Sequence, residues 1–206
     1  MIAVIDYGVG NLFSLCRSLE AIGQEPVVTG DPEILRKADK LLLPGVGAFA
    51  DAAEKLRQSG LDKVVKEEAA KGKPLMGICL GMQLLFEKSY EFGEWEGLGL
   101  IPGKVVTMDG VIPSELKVPH IGWNALLFPE GERHPLLKTV QDGDCVYFVH
   151  TFYATDCDEY VIANTEYGAT LTAAVAKGNV FGCQFPPEKS GAVGLAILRT
   201  FCEGTW

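Results

Sequence analysis

The sequence predicts a single α/β domain with a central, mainly parallel sheet flanked by helices. Short apolar runs of strand length alternate with helical patterns through about the first ninety residues, an order typical of right-handed β–α–β units. The 206 residues are 48% hydrophobic and 22% charged, a globular composition that excludes a disordered, collagen-like or coiled-coil chain. Because no linker or repeat interrupts the chain, we expect one domain over residues 1–206.

The elements of the first half carry local signals for where they begin. Apolar residues at helical spacing form one face of segment 12–22, and Asn11 precedes it as an N-cap. Asp31 followed by Pro32 is typical of a second helix start. The strands are predicted at 2–5, 26–28, 41–43 and 74–78, and the helices at 12–22, after Asp31, and at 49–58, 61–71 and 80–88.

The second half contains short strand-like runs separated by Gly, Asp or Asn turns, which predict antiparallel additions to the sheet. An apolar-faced helical pattern over 191–202 closes the chain. The predicted strand-like runs are 104–108, 116–128, 145–154, 160–166, 170–176 and 179–185.

Charge and cysteine content narrow the class of function. Eighteen basic and 27 acidic residues give a net charge of −9, so we expect no nucleic-acid partner. The six cysteines include no pair at C-x-x-C spacing, which disfavours a zinc site or a redox dithiol and is typical of a reducing cytosol. The sequence shows neither a signal-peptide pattern nor an apolar run of membrane-spanning length. We therefore expect a cytoplasmic protein with no metal, cofactor or membrane segment.

The sharpest local motif is the turn Gly77-Ile78-Cys79-Leu80-Gly81 between a predicted strand and a helix. It is the sulfur version of the G-x-S-x-G nucleophile elbow, whose tight turn requires small residues two positions before and after the nucleophile. A thiol at a helix N-terminus meets the positive end of the helix dipole, so we expect the pKa of Cys79 to be lowered. The alternative is a buried structural cysteine between two glycines.

A second glycine-rich turn, Pro44-Gly45-Val46-Gly47, follows another strand of the parallel half. Ligands of such folds bind at the carboxyl ends of the strands, where Cys79 is also predicted. Backbone N–H groups of this turn, together with that of Leu80, are candidate donors to a developing oxyanion. The alternative is an ordinary strand-to-helix turn.

Five short segments, spread over nearly the full chain, match the motifs of one known protein family. They are the elbow, the PGVG turn, Pro119–Asn124 (PHIGWN), Tyr147–Thr151 (YFVHT) and Gln184–Ser190 (QFPPEKS). Together they resemble the glutaminase subunits of imidazole glycerol phosphate synthase, which are class I (triad) glutamine amidotransferases. The resemblance implies a flavodoxin-like amidotransferase fold. It also implies hydrolysis of glutamine to glutamate and ammonia, and a heterodimer with a (β/α)₈-barrel cyclase that uses the ammonia to make imidazole glycerol phosphate and the purine precursor AICAR.

The resemblance also assigns roles to single residues. It implies that Cys79 is the nucleophile and Glu188 the acid of a Cys-His-Glu triad, with an oxyanion strand at Gly45–Gly47. The implied glutamine-binding residues are Gln83, Glu91, Thr151 and Phe152. The implied cyclase-facing residues are Asn11, Trp123, Tyr147 and Lys189.

One position departs from the family pattern, because the triad histidine falls on Pro186. Of the three histidines, His120 and His150 match family positions outside the triad, and His134 lies in a polar stretch. We therefore expect the fold to persist and the glutaminase activity to be impaired. The alternatives are a non-catalytic glutamine-binding or scaffolding partner of the cyclase and another Cys-elbow enzyme, such as a peptidase-like or chaperone-like protein. The PHIGWN and PEKS segments argue against the latter.

Overall fold

The computed structural model describes residues 1–131 and 133–206. Its helices are α1 Leu12–Ala21, α2 Pro32–Lys37, α3 Phe49–Gln58, α4 Leu61–Ala70, α5 Leu80–Gln83 and α6 Gly191–Glu203. Its strands are β1 Ile2–Ile5, β2 Pro26–Thr29, β3 Lys40–Leu43, β4 Leu75–Ile78, β5 Phe86–Ser89, β6 Trp95–Glu96, β7 Ile101–Thr107, β8 His120–Ala125, β9 Cys145–His150, β10 Phe152–Thr155, β11 Val161–Glu166, β12 Thr170–Lys177 and β13 Val180–Cys183. Short 3₁₀ turns occur at Pro135–Leu137, Asp158–Tyr160 and Pro187–Lys189.

The main sheet has seven strands in the order β11-β12-β13-β4-β3-β1-β2. The strands from β13 to β2 are parallel to one another, and β11, β12 and β13 pair antiparallel. This confirms the predicted α/β class with a mainly parallel sheet and antiparallel additions. Strand β13 belongs to both patterns, because it pairs parallel with β4 and antiparallel with β12.

Alternate residues of the central strands contribute to two hydrophobic clusters, one on each face of the sheet. In β1, Ala3 and Ile5 belong to the cluster that includes α3 and α4, whereas Ile2 and Val4 belong to the cluster that includes α1 and α6. Side chains of a strand point alternately to the two faces. Burial of both faces is why these strands are continuous apolar runs rather than alternating ones.

Two smaller sheets complete the described part of the chain. One has the order β10-β7-β5-β6, and the other is the two-stranded ribbon β8–β9, in which Trp123 pairs with Tyr147 and His120 with His150. The predicted strand over 145–154 is therefore interrupted at Thr151, where the chain passes from the ribbon to the smaller sheet. No helix in residues 1–131 and 133–206 combines the length and the apolarity needed to cross a bilayer.

The predicted helix over 80–88 is wrong in its length. Helix α5 ends at Gln83, and residues from Phe86 onward form β5. Phe86 pairs with Ile101 of the parallel strand β7, and Ser89 pairs with Trp95 of β6. Strand pairing with residues distant in sequence therefore overrides the local helical pattern. A short window of the sequence carries no information about this pairing.

Candidate active site

Cys79 lies directly beyond the end of β4 in a strained turn. Its φ of 54° places a non-glycine residue at positive φ, a conformation that costs energy and persists only where the surroundings impose it. A Cβ on Gly81 would lie 1.9 Å from the backbone oxygen of Leu43, and one on Gly77 would lie 2.5 Å from the oxygen of Gly81. The two glycines are therefore required by the turn, as the elbow motif predicts.

A cavity of about 450 Å³ opens in front of Cys79, within the size range of small-molecule sites. It brings together most of the residues that the elbow motif and the resemblance assign to the nucleophile, the oxyanion donors and the glutamine pocket, namely Val46, Gly47, Cys79, Leu80, Gln83, Glu91, Thr151 and Phe152. Four other residues also line the cavity without a predicted role in substrate binding, namely Phe92, Pro119, Val149 and His150. Three of them lie inside the PHIGWN and YFVHT segments, and Phe92 follows Glu91, so proximity to a matched position was the available signal.

The turn Gly45–Gly47 packs against the elbow. A Cβ on Gly45 would lie 2.6 Å from the backbone nitrogen of Gly81, so only glycine permits this approach. The N–H groups of Val46 and Gly47 donate no backbone hydrogen bond among the residues that the structure describes. Both residues line the cavity, so these N–H groups are available to a bound ligand.

Two polar side chains, those of Gln83 and Glu91, form part of the cavity wall. The Gln83 amide donates to Gln184 Oε1 at 3.0 Å and to the Phe152 oxygen at 3.3 Å. Glu91 Oε2 accepts the Phe49 N–H at the start of α3 at 3.0 Å, which fixes its carboxylate. Burial raises the pKa of Glu91, and the hydrogen bond from Phe49 partly offsets this rise. Each side chain is thus held by a partner from another element before any ligand binds.

The Cys79 thiol does not have the lowered pKa that the sequence predicts. Burial raises the pKa of Cys79 to about 11, and the negative charge of Glu188 acts in the same direction. The Leu80 N–H and the charge of Lys189 lower it, but by less. The prediction is wrong because α5 is a single turn of four residues, too short for a large dipole, and because loss of water penalises the thiolate.

The chain reaches the same edge again after β13, at Pro186 and Glu188. The Cys79 N–H donates to the Cys183 oxygen at 2.8 Å, so the ends of β4 and β13 are tied together. Pro186 is buried with φ −76° and ψ 109°, the extended geometry that proline adopts readily, which agrees with the expectation that the fold accepts it. Its oxygen accepts the Ser190 hydroxyl at 2.8 Å.

Glu188 has a carboxyl oxygen with no partner. Its Oε2 atom is buried and makes no hydrogen bond to any of the described residues. Burial raises the pKa of this carboxyl, and the charge of Lys189 offsets the rise only in part. Neither Pro186 nor Glu188 lines the cavity in front of Cys79. The residue that the resemblance implies as the triad acid thus has an unpartnered buried oxygen, and position 186, where the resemblance implies a histidine, supplies no imidazole.

None of the three histidines offers a free ring nitrogen near Cys79. His150 lines the cavity, but its Nδ1 lies 2.9 Å from the Phe152 oxygen and its Nε2 lies 3.0 Å from Nδ1 of His120. Nε2 of His120 in turn meets Asn124 Oδ1 at 3.0 Å. Burial lowers the pKa of His150 to about 4, so its ring is neutral at pH 7. The ring of His134 accepts the Leu136 N–H at 3.2 Å in a different part of the chain.

The residues implied to face a partner lie mainly around the β8–β9 ribbon. Trp123 is 57% exposed and packs edge-on against Tyr147 with ring centroids 6.0 Å apart. The Tyr147 N–H donates to Ser190 Oγ at 3.1 Å, next to the exposed Lys189. Asn11 is placed differently, since its side chain accepts the Ser14 N–H at 3.3 Å as the N-cap of α1.

The same ribbon exposes two further apolar residues, Ile121 and Val149, for which no partner contact was predicted. Ile121 pairs with Val149, two positions along each strand from Trp123 and Tyr147, so all four side chains point to one face. Ile121 and Val149 are both exposed. Period-two alternation in PHIGWN and YFVHT was the signal for this face. No group of three metal-ligating side chains is present among residues 1–131 and 133–206.

The sequence of this chain is similar to a known protein family and to individual members of it. The profile of the family described as Glutamine amidotransferase class-I matches residues 3–203. A relative from Sulfurimonas denitrificans, named imidazole glycerol phosphate synthase subunit HisH, is 51% identical over 205 residues, covering 98% of this chain and 98% of the relative. The subunit of the same name from Carboxydothermus hydrogenoformans is 49% identical over 203 residues, covering 98% and 99%.

Solved structures agree on the fold. A structure described as a glutamine amidotransferase is 19% identical with a TM-score of 0.75 and covers 98% of both chains. The structure of PurLQS from Thermotoga maritima is 23% identical with a TM-score of 0.75 and covers 98% of this chain and 96% of that one. At such identities the likeness shows the fold alone.

Proposed function

The chain belongs to the class I glutamine amidotransferase family, and from this membership we propose that it is the glutaminase subunit of an imidazole glycerol phosphate synthase. It hydrolyses glutamine to glutamate and ammonia in the cytoplasm. The ammonia passes to a (β/α)₈-barrel cyclase, which makes imidazole glycerol phosphate and AICAR in histidine biosynthesis. The similarity to relatives named HisH over nearly the full length of both chains supports this proposal.

The observation that carries the proposal is the strained Cys79 elbow at the mouth of the cavity. Sγ of Cys79 attacks the carboxamide carbon of glutamine, and the oxygen that becomes negative accepts hydrogen bonds from the N–H groups of Leu80 and the Gly45–Gly47 turn. Gln83 and Glu91 hold the polar groups of the substrate, since both side chains are fixed at the cavity wall. The chain at Thr151 and Phe152 closes the pocket.

The proton steps are where this chain departs from its family. A triad imidazole takes the thiol proton and later protonates the departing amine. Pro186 supplies no such group, and the raised pKa of Cys79 makes the free thiolate scarce. The amide nitrogen does not leave as NH₂⁻ and must be protonated before it departs. We therefore propose that the Pro186 form hydrolyses glutamine slowly while its binding pocket remains intact.

A second candidate function follows from the same residue. A chain that binds glutamine and the cyclase without hydrolysing glutamine is a scaffolding or glutamine-sensing partner. Pro186 favours this candidate because the fold accepts it without strain while the implied triad loses its base. The two candidates differ only in the rate of the hydrolytic step.

A coupled assay with a cognate cyclase separates them. In the first candidate, glutamine supports slow cyclase turnover, Cys79→Ala abolishes it, and ammonium salts restore the full cyclase rate because the cyclase needs only ammonia. In the second, only ammonium salts support turnover. Cyclase turnover that is unaffected by Cys79→Ala when glutamine is the only nitrogen source contradicts the glutaminase assignment.

Binding to the cyclase tests the proposed interface on the β8–β9 ribbon. A one-to-one complex with the cyclase should form at micromolar concentrations in analytical ultracentrifugation. Trp123→Ala should weaken it by about 2 kcal/mol, the loss typical of a central aromatic residue of an interface. Glu159→Gln changes an exposed carboxylate of the Asp158–Tyr160 turn and serves as the control. Persistent monomers of both proteins would contradict this part of the proposal.

A further inference from the structure

Tyr7 lies just beyond the end of β1, at the edge of the sheet where the cavity opens. Its side chain is buried, with 6% of the residue exposed, and its hydroxyl donates to the backbone oxygen of Pro44 at 2.8 Å. Strands β1 and β3 are parallel neighbours with Val4 paired to Leu42, so Tyr7 and Pro44 leave the sheet side by side. The Tyr7 hydroxyl is therefore hydrogen-bonded to the residue that immediately precedes the Gly45–Gly47 turn.

This hydrogen bond constrains a peptide plane. The C=O and N–H of a trans peptide are coplanar and point in opposite directions, so a fixed Pro44 oxygen also fixes the direction of the Gly45 N–H. Glycine at 45 has wide backbone freedom, and Gly47 has φ 88°, so the turn has little stiffness of its own. The anchor at Pro44 and the close packing of Gly45 on Gly81 hold its first residue from two sides.

The hydroxyl is a permanent donor. Burial raises the pKa of Tyr7, and a negative charge on Cys79 raises it further. Tyr7 therefore keeps its proton throughout the physiological pH range.

We propose that Tyr7 is a positioning residue for the oxyanion site. Its hydroxyl holds the Pro44 carbonyl and thereby fixes the start of the turn, which presents the free N–H groups of Val46 and Gly47 to the oxygen that becomes negative when Cys79 attacks a carbonyl carbon. The inference rests on the proposed function in one respect, namely that the carbonyl belongs to a glutamine-like molecule.

Tyr7→Phe in the full chain tests the inference, because it removes one hydroxyl and keeps the packed ring. Two reagents are compared at Cys79 by peptide mass mapping. A chloroketone analogue of glutamine forms an oxyanion when the thiol adds to its carbonyl, whereas methyl methanethiosulfonate reacts at sulfur and forms none. Labelling by the chloroketone should slow by about 10- to 100-fold, the range expected for a displaced oxyanion donor, while labelling by the thiosulfonate should stay within about twofold.

Tyr167→Phe is the matched control, since the Tyr167 hydroxyl also donates to a backbone oxygen, that of Lys117, at 2.9 Å. It should change neither rate. An unchanged chloroketone rate in Tyr7→Phe overturns the inference, and so does equal slowing of both reagents, which reports a general loss of thiol reactivity. Failure of the proposed function would appear elsewhere, as absent glutamine hydrolysis in a Pro186→His variant, and does not alter the ratio of the two labelling rates.

Discussion

Two turns leave the main sheet at the same edge, one after β4 and one after β13, and they meet the needs of the proposed chemistry to different degrees. The turn after β4 has a strained Cys79 between two glycines that no other residue can replace. The turn after β13 keeps the acid Glu188 but places Pro186 where the resemblance implies a histidine. A hydrogen bond from Cys79 to Cys183 joins the two turns.

The difference shows which positions the fold itself protects. A side chain at Gly77 or Gly81 would overlap backbone atoms, so a substitution there damages the structure as well as the activity. At position 186 the backbone is extended and precedes another proline, so the imidazole of a histidine and the ring of a proline are both compatible with it. Position 186 can thus carry either a histidine or a proline without damage to the fold.

Restoring the imidazole is the largest expected effect. Pro186→His should raise glutaminase turnover in the cyclase complex by about 10²- to 10⁴-fold, or about 3–5.5 kcal/mol of barrier, the usual contribution of general acid–base catalysis. Turnover is measured as glutamate release. Cys79→Ala in the restored form should abolish the gain. If the Pro186 form already hydrolyses glutamine as fast as the restored one, another group supplies the proton, and His150 is the first candidate.

Gly81→Ala should have the next largest effect, on the stability of the turn after β4. The added methyl would lie 1.9 Å from the Leu43 oxygen, so the elbow must move, at a cost of about 3 kcal/mol. Urea unfolding measures this loss. Gly178→Ala is the control, since Gly178 has φ 56° with open space around it and should lose only about 1 kcal/mol from backbone strain. Equal losses in the two variants would show that steric contact at the elbow is not what requires the glycine.

The sequence predicted the parts of the site that depend on local pattern. Gly77 and Gly81 predicted the elbow, and the bounds of α3 and α4 follow apolar periodicity closely. It did not predict the end of α5, because pairing of Phe86 with Ile101 decides it. Nor did it predict the raised pKa of Cys79, which depends on burial by residues distant in the chain. The Tyr7–Pro44 contact was missed for the same reason, since it joins two turns 37 positions apart.

The pKa of His150 decides whether this cavity residue can replace the imidazole that is absent at position 186. Burial lowers the pKa of His150 to about 4, so the unfolded chain, with a histidine pKa near 6.5, binds a proton that the folded chain does not. This group's contribution to stability is therefore complete above about pH 6.5 and is lost as the pH falls toward 4. The free energy of unfolding should drop by about 2 kcal/mol between pH 7 and pH 5 on this account.

The variant His150→Gln should show less of this pH dependence in urea titrations. The nuclear magnetic resonance titration of the ring gives the pKa directly. A value near 7 would contradict the burial argument and would make His150 a competent acid–base group in place of the imidazole absent at position 186.

The smallest expected effect comes from Glu188→Gln in the unchanged chain. The Glu188 carboxyl has no imidazole to orient, so glutamine hydrolysis should change by less than about twofold. In the Pro186→His background the same substitution should lower turnover by about 10²- to 10⁴-fold, because a triad carboxylate holds the imidazole in its working tautomer and orientation. The contrast between the two backgrounds measures the coupling of residues 186 and 188. An equal loss in both backgrounds would show that Glu188 carries the proton itself, and the turn after β13 would then serve the chemistry without a histidine.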